Sequence, residues 1–124
     1  MGRTAPLAEQ NSCRAVSEVL SRVGDKWSVL VIVAVRERPH RFSELKRKVG
    51  GISQQMLTST LKTLERDGLV TRTVVPTTPP QVSYALTDLG RSLSSTLRQL
   101  AEWSIDNLAT IQESRRQYDE GRPT

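Results

Sequence analysis

The chain of 124 residues has one cysteine and one histidine, and its longest unbroken apolar run, Val29 to Val35, is seven residues. A single cysteine excludes an intrachain disulfide framework and a Cys-rich zinc site, and it suits a reducing compartment. The short apolar run falls well below the roughly 20 residues that cross a bilayer, and the N-terminus lacks a basic-then-apolar signal segment. A cytoplasmic protein without a membrane partner is expected. No CxxC, GxSxG, HExxH, Walker or GxGxxG pattern occurs, and a thiol enzyme built on Cys13 would find only His40 as its base. Catalysis, a cofactor and a bound metal are therefore not expected. Internal repeats and low-complexity tracts are absent as well.

What is present supports one compact core, with 36% apolar residues and a formal charge of +5. That charge is uneven. Residues 36 to 72 hold nine Lys or Arg against four acids, whereas residues 87 to 120 hold four against six. A basic middle beside a mildly acidic end points to an anionic partner, most commonly nucleic acid for a domain this size.

Residues 1–10 read as a disordered arm and 119–124 as a loose tail, leaving 11–118 as the domain. Asn11 or Ser12 can cap a first helix that stops at Gly24, and Asp25 can cap a second. The Val-rich stretch 29 to 35 fits either a buried helix or a buried strand; its i, i+3, i+4, i+7 pattern favours a helix ended near Arg38 and Pro39. A short extended piece at His40 to Phe42 precedes a third helix, capped by Ser43 and closed by Gly50 and Gly51. Ser53 then caps a helix over 53–67 whose inner side is Leu57, Thr60, Leu61 and Leu64. Two helices joined by a tight glycine turn form a helix-turn-helix unit.

The β-rich segments within 69–86 follow, separated by Pro76 to Gln81 with its three prolines. This order gives a mainly α fold with a small β-hairpin, the winged helix-turn-helix, whose second helix enters the major groove of double-stranded DNA. The outer, N-terminal half of that helix supplies the base-reading candidates Gln54, Gln55, Thr58 and Ser59, with Lys62 further along. Glutamine makes paired hydrogen bonds to adenine and lysine reaches guanine, which is why those residue types on that face point to base reading. Arg38, Arg41, Ser43, Lys46, Arg66 and Arg72 are the candidate contacts to the DNA backbone.

Thr87 starts a long helix, 87–118, with a leucine-rich stripe. About 30 helical residues reach roughly 45 Å, beyond the extent of a compact domain of this size. The stripe should therefore meet a second copy, with Val16 and Leu20 of the first helix and Leu93, Leu97, Leu100, Trp103 and Leu108 of the last in a homodimer interface. These are the N- and C-terminal dimerisation helices.

Gly24-Asp25-Lys26-Trp27, Arg41-Phe42-Ser43-Glu44-Leu45, Gly51 to Leu57, Asp67-Gly68-Leu69-Val70, Pro79-Pro80 with Val82 and Tyr84, Leu86-Thr87, Gly90 and Trp103 together resemble the HxlR-type winged-helix regulators of bacteria, which are related to MarR-like regulators. The resemblance covers about residues 13 to 104. It implies a dimeric transcription factor on a pseudo-palindromic, inverted-repeat operator, often a repressor. Two positions depart from the family pattern. Gln81 replaces a basic residue after the wing prolines, and His40, expected on the surface, stands where a second arginine is common.

Cys13 falls where the family places a cysteine that in some members senses small electrophiles or oxidants. With Asn11 or Ser12 as the cap it would sit in the first helical turn, beside unpaired N–H groups and Arg14, a setting that favours thiolate chemistry; the other reading of Cys13 is an inert, buried thiol. The alternative to sequence-specific DNA binding is a winged-helix module whose basic side meets an acidic protein.

Overall fold

The computed structural model describes residues 7–121, with side chains from Cys13 onward. Residues 1–6 and 122–124 of the expected loose ends lie outside the described residues. The chain divides into two compact units, Met1–Ser94 and Ser95–Thr124.

In the first unit, α1 (Leu7–Gly24) starts four residues before the expected domain boundary and runs through Asn11 and Ser12. Neither residue is therefore its N-cap, residues 7–10 are not a loose arm, and Cys13 falls beyond the first turn. Nothing in Leu7 to Gln10 breaks a helix, so the periodic segment simply extends backwards. At the other end, Arg22 pairs with Asp67 at 2.5 Å, fixing α1 to the C-cap of the fourth helix.

The valine-rich stretch is helical. In α2 (Lys26–Ala34) the Asp25 carboxylate accepts from the Trp27 amide at 3.2 Å and the Ser28 hydroxyl at 2.8 Å. That cap selects helix over strand for a segment whose apolar residues suit both. The helix ends at Ala34, short of Arg38.

The turn from α3 (Phe42–Lys48) to α4 (Gln54–Arg66) passes through Gly50 at φ +36° and Gly51 at φ +85°, left-handed values that explain two consecutive glycines. In α4 the Ser53 hydroxyl accepts from the Met56 amide at 3.0 Å. Leu57, Thr60, Leu61 and Leu64 are buried on its inner side, as are Val31 and Ile32 of α2, Val35 directly after it and Leu45 of α3. These four leucines and three valine or isoleucine side chains, each at most 2% exposed, are among the most deeply buried of the core; each contributes roughly 1.5–3 kcal/mol when fully buried.

The sheet has three antiparallel strands in the order β1-β3-β2. In it, β2 (Val70–Val75) and β3 (Gln81–Leu86) form the expected hairpin, from Val70 opposite Leu86 to Val75 opposite Gln81. The two-residue β1 (His40–Arg41) adds on the far side, His40 opposite Tyr84 and Arg41 opposite Ser83. This pairing seats the start of α3 at the base of the wing.

The last helix, α5 (Asp88–Gly121), is capped by Thr87, whose hydroxyl accepts from the Gly90 amide at 3.0 Å. Gly90 packs so closely on the chain before β2 that an added Cβ would lie 2.1 Å from the Leu69 carbonyl oxygen. Only glycine fits there.

The second unit is helical from Ser95 to Gly121, so residues 119–121 are not a loose tail. Arg116 explains the continuation, since it pairs with Glu113 one turn back and with Glu120 at 2.8 Å one turn on. Leu100, Trp103, Ile105 and Leu108 are exposed. Of the other expected interface residues, Leu97 is 6% exposed and Leu93 is half-buried. No described helix is long and apolar enough to cross a membrane.

Candidate nucleic-acid interface

Because α4 buries its leucines on its inner face, the outer face is left to polar groups and the partly exposed Met56. Gln54, Gln55, Thr58, Ser59, Lys62 and Thr63 line one shallow depression of about 590 Å³. All five base-reading candidates therefore share one surface. It begins at the N-terminus of the helix, where exposed amides and short polar side chains offer donors and acceptors in the pattern that base edges require.

A second depression of about 570 Å³ lies where α3 meets the sheet, lined by Arg38, Arg41, Ser43, Glu44 and Arg47 from one side and by Val75, Gln81 and Ser83 from the wing. Among the described residues, neither the Arg41 nor the Arg47 guanidinium has a hydrogen-bond or ion-pair partner. Arg38 is held instead, donating to the Pro39 carbonyl at 3.0 Å and lying 3.5 Å from the Glu44 carboxylate. Three guanidinium groups around a single carboxylate leave a net positive hollow suited to a phosphate.

Glu44 organises this corner. Its carboxylate accepts from the Arg41 amide at 2.8 Å. That bond, with the nearby charges of Arg38 and His40 and a hydrogen bond from Arg38, holds the Glu44 carboxyl below the ordinary carboxylate range. Glu44, rather than Ser43, thus ties off the start of α3, which has Arg41 as its cap and so begins two residues earlier than expected, at Phe42. Ser43 is consequently free to line the arginine hollow.

Other candidates are dispersed. Arg72 faces a third depression of about 410 Å³ with Lys62, Glu65, Phe42 and Tyr84, between α4 and β2. Lys46 and Arg66 are exposed but line none of the three hollows. Arg47 is the residue that sequence reasoning missed; its position four residues after Ser43 on α3 was the available signal. The wing loop between Arg72 and Gln81 contains no Lys or Arg, and Gln81 sits at the arginine hollow rather than at the loop tip.

His40 is buried, contrary to the surface position expected for it. Cys13 is exposed on α1. Among the described residues no cluster of His, Cys, Asp or Glu could hold a metal ion.

A family model described as HxlR-like helix-turn-helix matches residues 22–112. The chain is similar to the HTH-type transcriptional regulator YtfH of Escherichia coli K12, at 47% identity over 105 residues that cover 85% of this chain and 81% of that protein. Its similarity to the HTH-type transcriptional regulator YodB of Bacillus subtilis is 35% over 92 residues, covering 74% and 82%. Among solved structures it resembles the transcriptional regulator YtfH of Salmonella typhimurium, with a TM-score of 0.72 at 44% identity over 82% of this chain and 90% of that one. It also resembles the redox regulator HypR in its reduced form, with a TM-score of 0.73 at 35% identity over 80% and 98%.

Proposed function

The chain belongs to the HxlR-like helix-turn-helix family and is a DNA-binding transcription regulator, and from that premise we propose that it acts as a homodimeric repressor on an inverted-repeat operator. The observation that carries this reading is the single polar face of α4, with Gln54, Gln55, Thr58, Ser59 and Lys62 lining one depression. In the proposed complex this face enters the major groove. Gln55 and Ser59 read base edges, while Arg41, Arg38, Ser43 and Arg47 take backbone phosphates alongside. Lys46, Arg66 and Arg72 add weaker, longer-range attraction. The cation-free loop of the wing leaves the hairpin a minor part in holding DNA.

The homodimer is supported by apolar side chains exposed within each unit separately: Val16 and Leu20 on α1, and Leu100, Trp103 and Leu108 on α5. Such side chains in a small regulator are best satisfied by a two-fold copy. Control through Cys13 belongs to the same reading. It is supported by the exposure of the thiol and by the similarity to a protein named as a redox regulator. With one cysteine per chain, modification would give a disulfide between subunits or an adduct with a small thiol or electrophile.

Selection of bound duplexes from a random pool, with and without a thiol oxidant, tests the whole reading. An enriched sequence with dyad symmetry and half-site centres about 34–36 Å apart is expected. Gln55→Ala should weaken binding to that sequence by about 1–3 kcal/mol and leave random duplex untouched. Enrichment of no palindrome, or a Gln55→Ala protein that binds the selected site as before, would overturn it.

A further inference from the structure

His40 is 2% exposed, and both nitrogens of its ring are engaged. Nδ1 lies 2.9 Å from the Arg38 carbonyl oxygen and Nε2 lies 3.2 Å from Lys48 Nζ. A carbonyl only accepts and an ammonium only donates, so Nδ1 carries the ring proton and Nε2 accepts from Lys48. Lys48 Nζ also donates to the Ala34 carbonyl at 3.3 Å. The last turn of α2, the strand β1 and the end of α3 are thereby joined through His40 and Lys48. Arg38 precedes this clasp and Arg41 follows it, and both line the arginine hollow.

Resting on the DNA-binding reading above, we propose that His40 is a positioning residue for the arginine hollow, holding Arg38 and Arg41 in place for backbone phosphates only while its Nε2 is unprotonated. A proton taken from solvent at Nε2 replaces the acceptor with a donor that faces the Lys48 ammonium, and the hydrogen bond between them is lost. The cations around the ring compound this, against the Coulombic attraction of Glu44. Arg38, Arg41, Arg47 and Lys48 are cations, as is Arg36 on the α2–β1 connection. Glu37 lies beside Arg36 at 3.6 Å, Glu44 is engaged with Arg38 and the Arg41 amide, and Tyr84 stands opposite on β3. Neither carboxylate is hydrogen-bonded to the ring. A buried imidazolium with an unmatched N–H must move toward water, and its backbone is a strand only two residues long. Arg41 moves with it.

The sign of the effect separates this from a bystander. An ordinary histidine near bound DNA gains positive charge on acidification and tightens binding; the clasp predicts weakening. Fluorescence anisotropy of a short mixed-sequence duplex titrated with the full chain, between about pH 8 and 5 at constant low ionic strength, reads that sign. Affinity should fall by about tenfold or more toward the acid end, with the slope of log affinity against log salt shallower by about 1 per protomer. His40→Asn, which places an amide N–H near the Nδ1 position but takes up no proton, should show a flat profile. Lys48→Met, lacking the opposing ammonium, should lose less affinity than the unaltered chain. The unaltered chain alone decides the question if either variant fails to fold. Affinity that rises or stays level on acidification, circular dichroism showing general unfolding at the acid end, or an unchanged acid loss in His40→Asn overturns the proposal. Absence of duplex binding at every pH would overturn the DNA-binding reading, and the proposal with it.

Discussion

Two helices of this chain treat their apolar side chains in opposite ways. In α4, Leu57, Leu61 and Leu64 are at most 2% exposed, and apart from Met56 what is turned outward is polar. In the part of α5 beyond Ser94, Leu100, Trp103 and Leu108 are each about half exposed and Ile105 is 74% exposed. The first helix is finished within its own chain. The second is left with apolar surface that water does not reward, and under the proposed function that difference separates a face kept for DNA from one that meets a second copy.

The comparison breaks most sharply at the core. Leu57→Ala should cost about 2–5 kcal/mol in denaturant unfolding. A paired substitution Leu100→Glu with Trp103→Glu should leave each chain folded while sedimentation shows solitary chains. Operator affinity would then fall by about a hundredfold, because two linked half-sites no longer act together. If that variant still sediments as a pair, the exposed face of α5 is not what joins the copies. Arg41→Ala is smaller again: it should weaken all duplexes alike and lower the salt slope by about 1 per protomer in filter-binding or anisotropy titrations.

The smallest effect concerns Glu44. Because its carboxyl is held below the ordinary range, chiefly by the Arg41 amide, the stability it contributes is complete above that range and is lost as pH falls through the lowered folded value. Glu44→Gln should flatten the acid limb of a melting-temperature profile slightly, since the side chain is largely solvent-screened. An unchanged acid limb would show that the Glu44–Arg41 bond contributes nothing.

The fold was legible wherever the controlling signal is local. Ser53, the leucine spacing of α4 and the Asp67-Gly68 stop bracket the reading helix to within a residue, because capping and helical period act over one or two turns. The hairpin was legible for the same reason. What escaped depends on distant partners. Nothing near His40 announces that it will pair with Tyr84 and be shut away beneath Lys48. Lys46 and Arg47 are adjacent cations, and only the packing of α3 on the sheet decides that Arg47 enters the hollow. The start of α1 is hidden because Asn11 and Ser12, good capping residues, stand mid-segment and the helix runs straight through them.

The sheet order leaves β2 on the outside, with Val74 and Val75 turned to solvent along an unpaired backbone. A β-branched ribbon of that kind is a standing invitation to stack with neighbouring molecules into insoluble aggregates. Pro76 stops the ribbon directly after its valines, and Pro79 and Pro80 deprive the following bend of further amide donors. The three prolines thus act as a guard on colloidal behaviour: exchanging them for residues with a free amide should lower the concentration at which the protein stays dispersed, whether or not its hold on DNA changes.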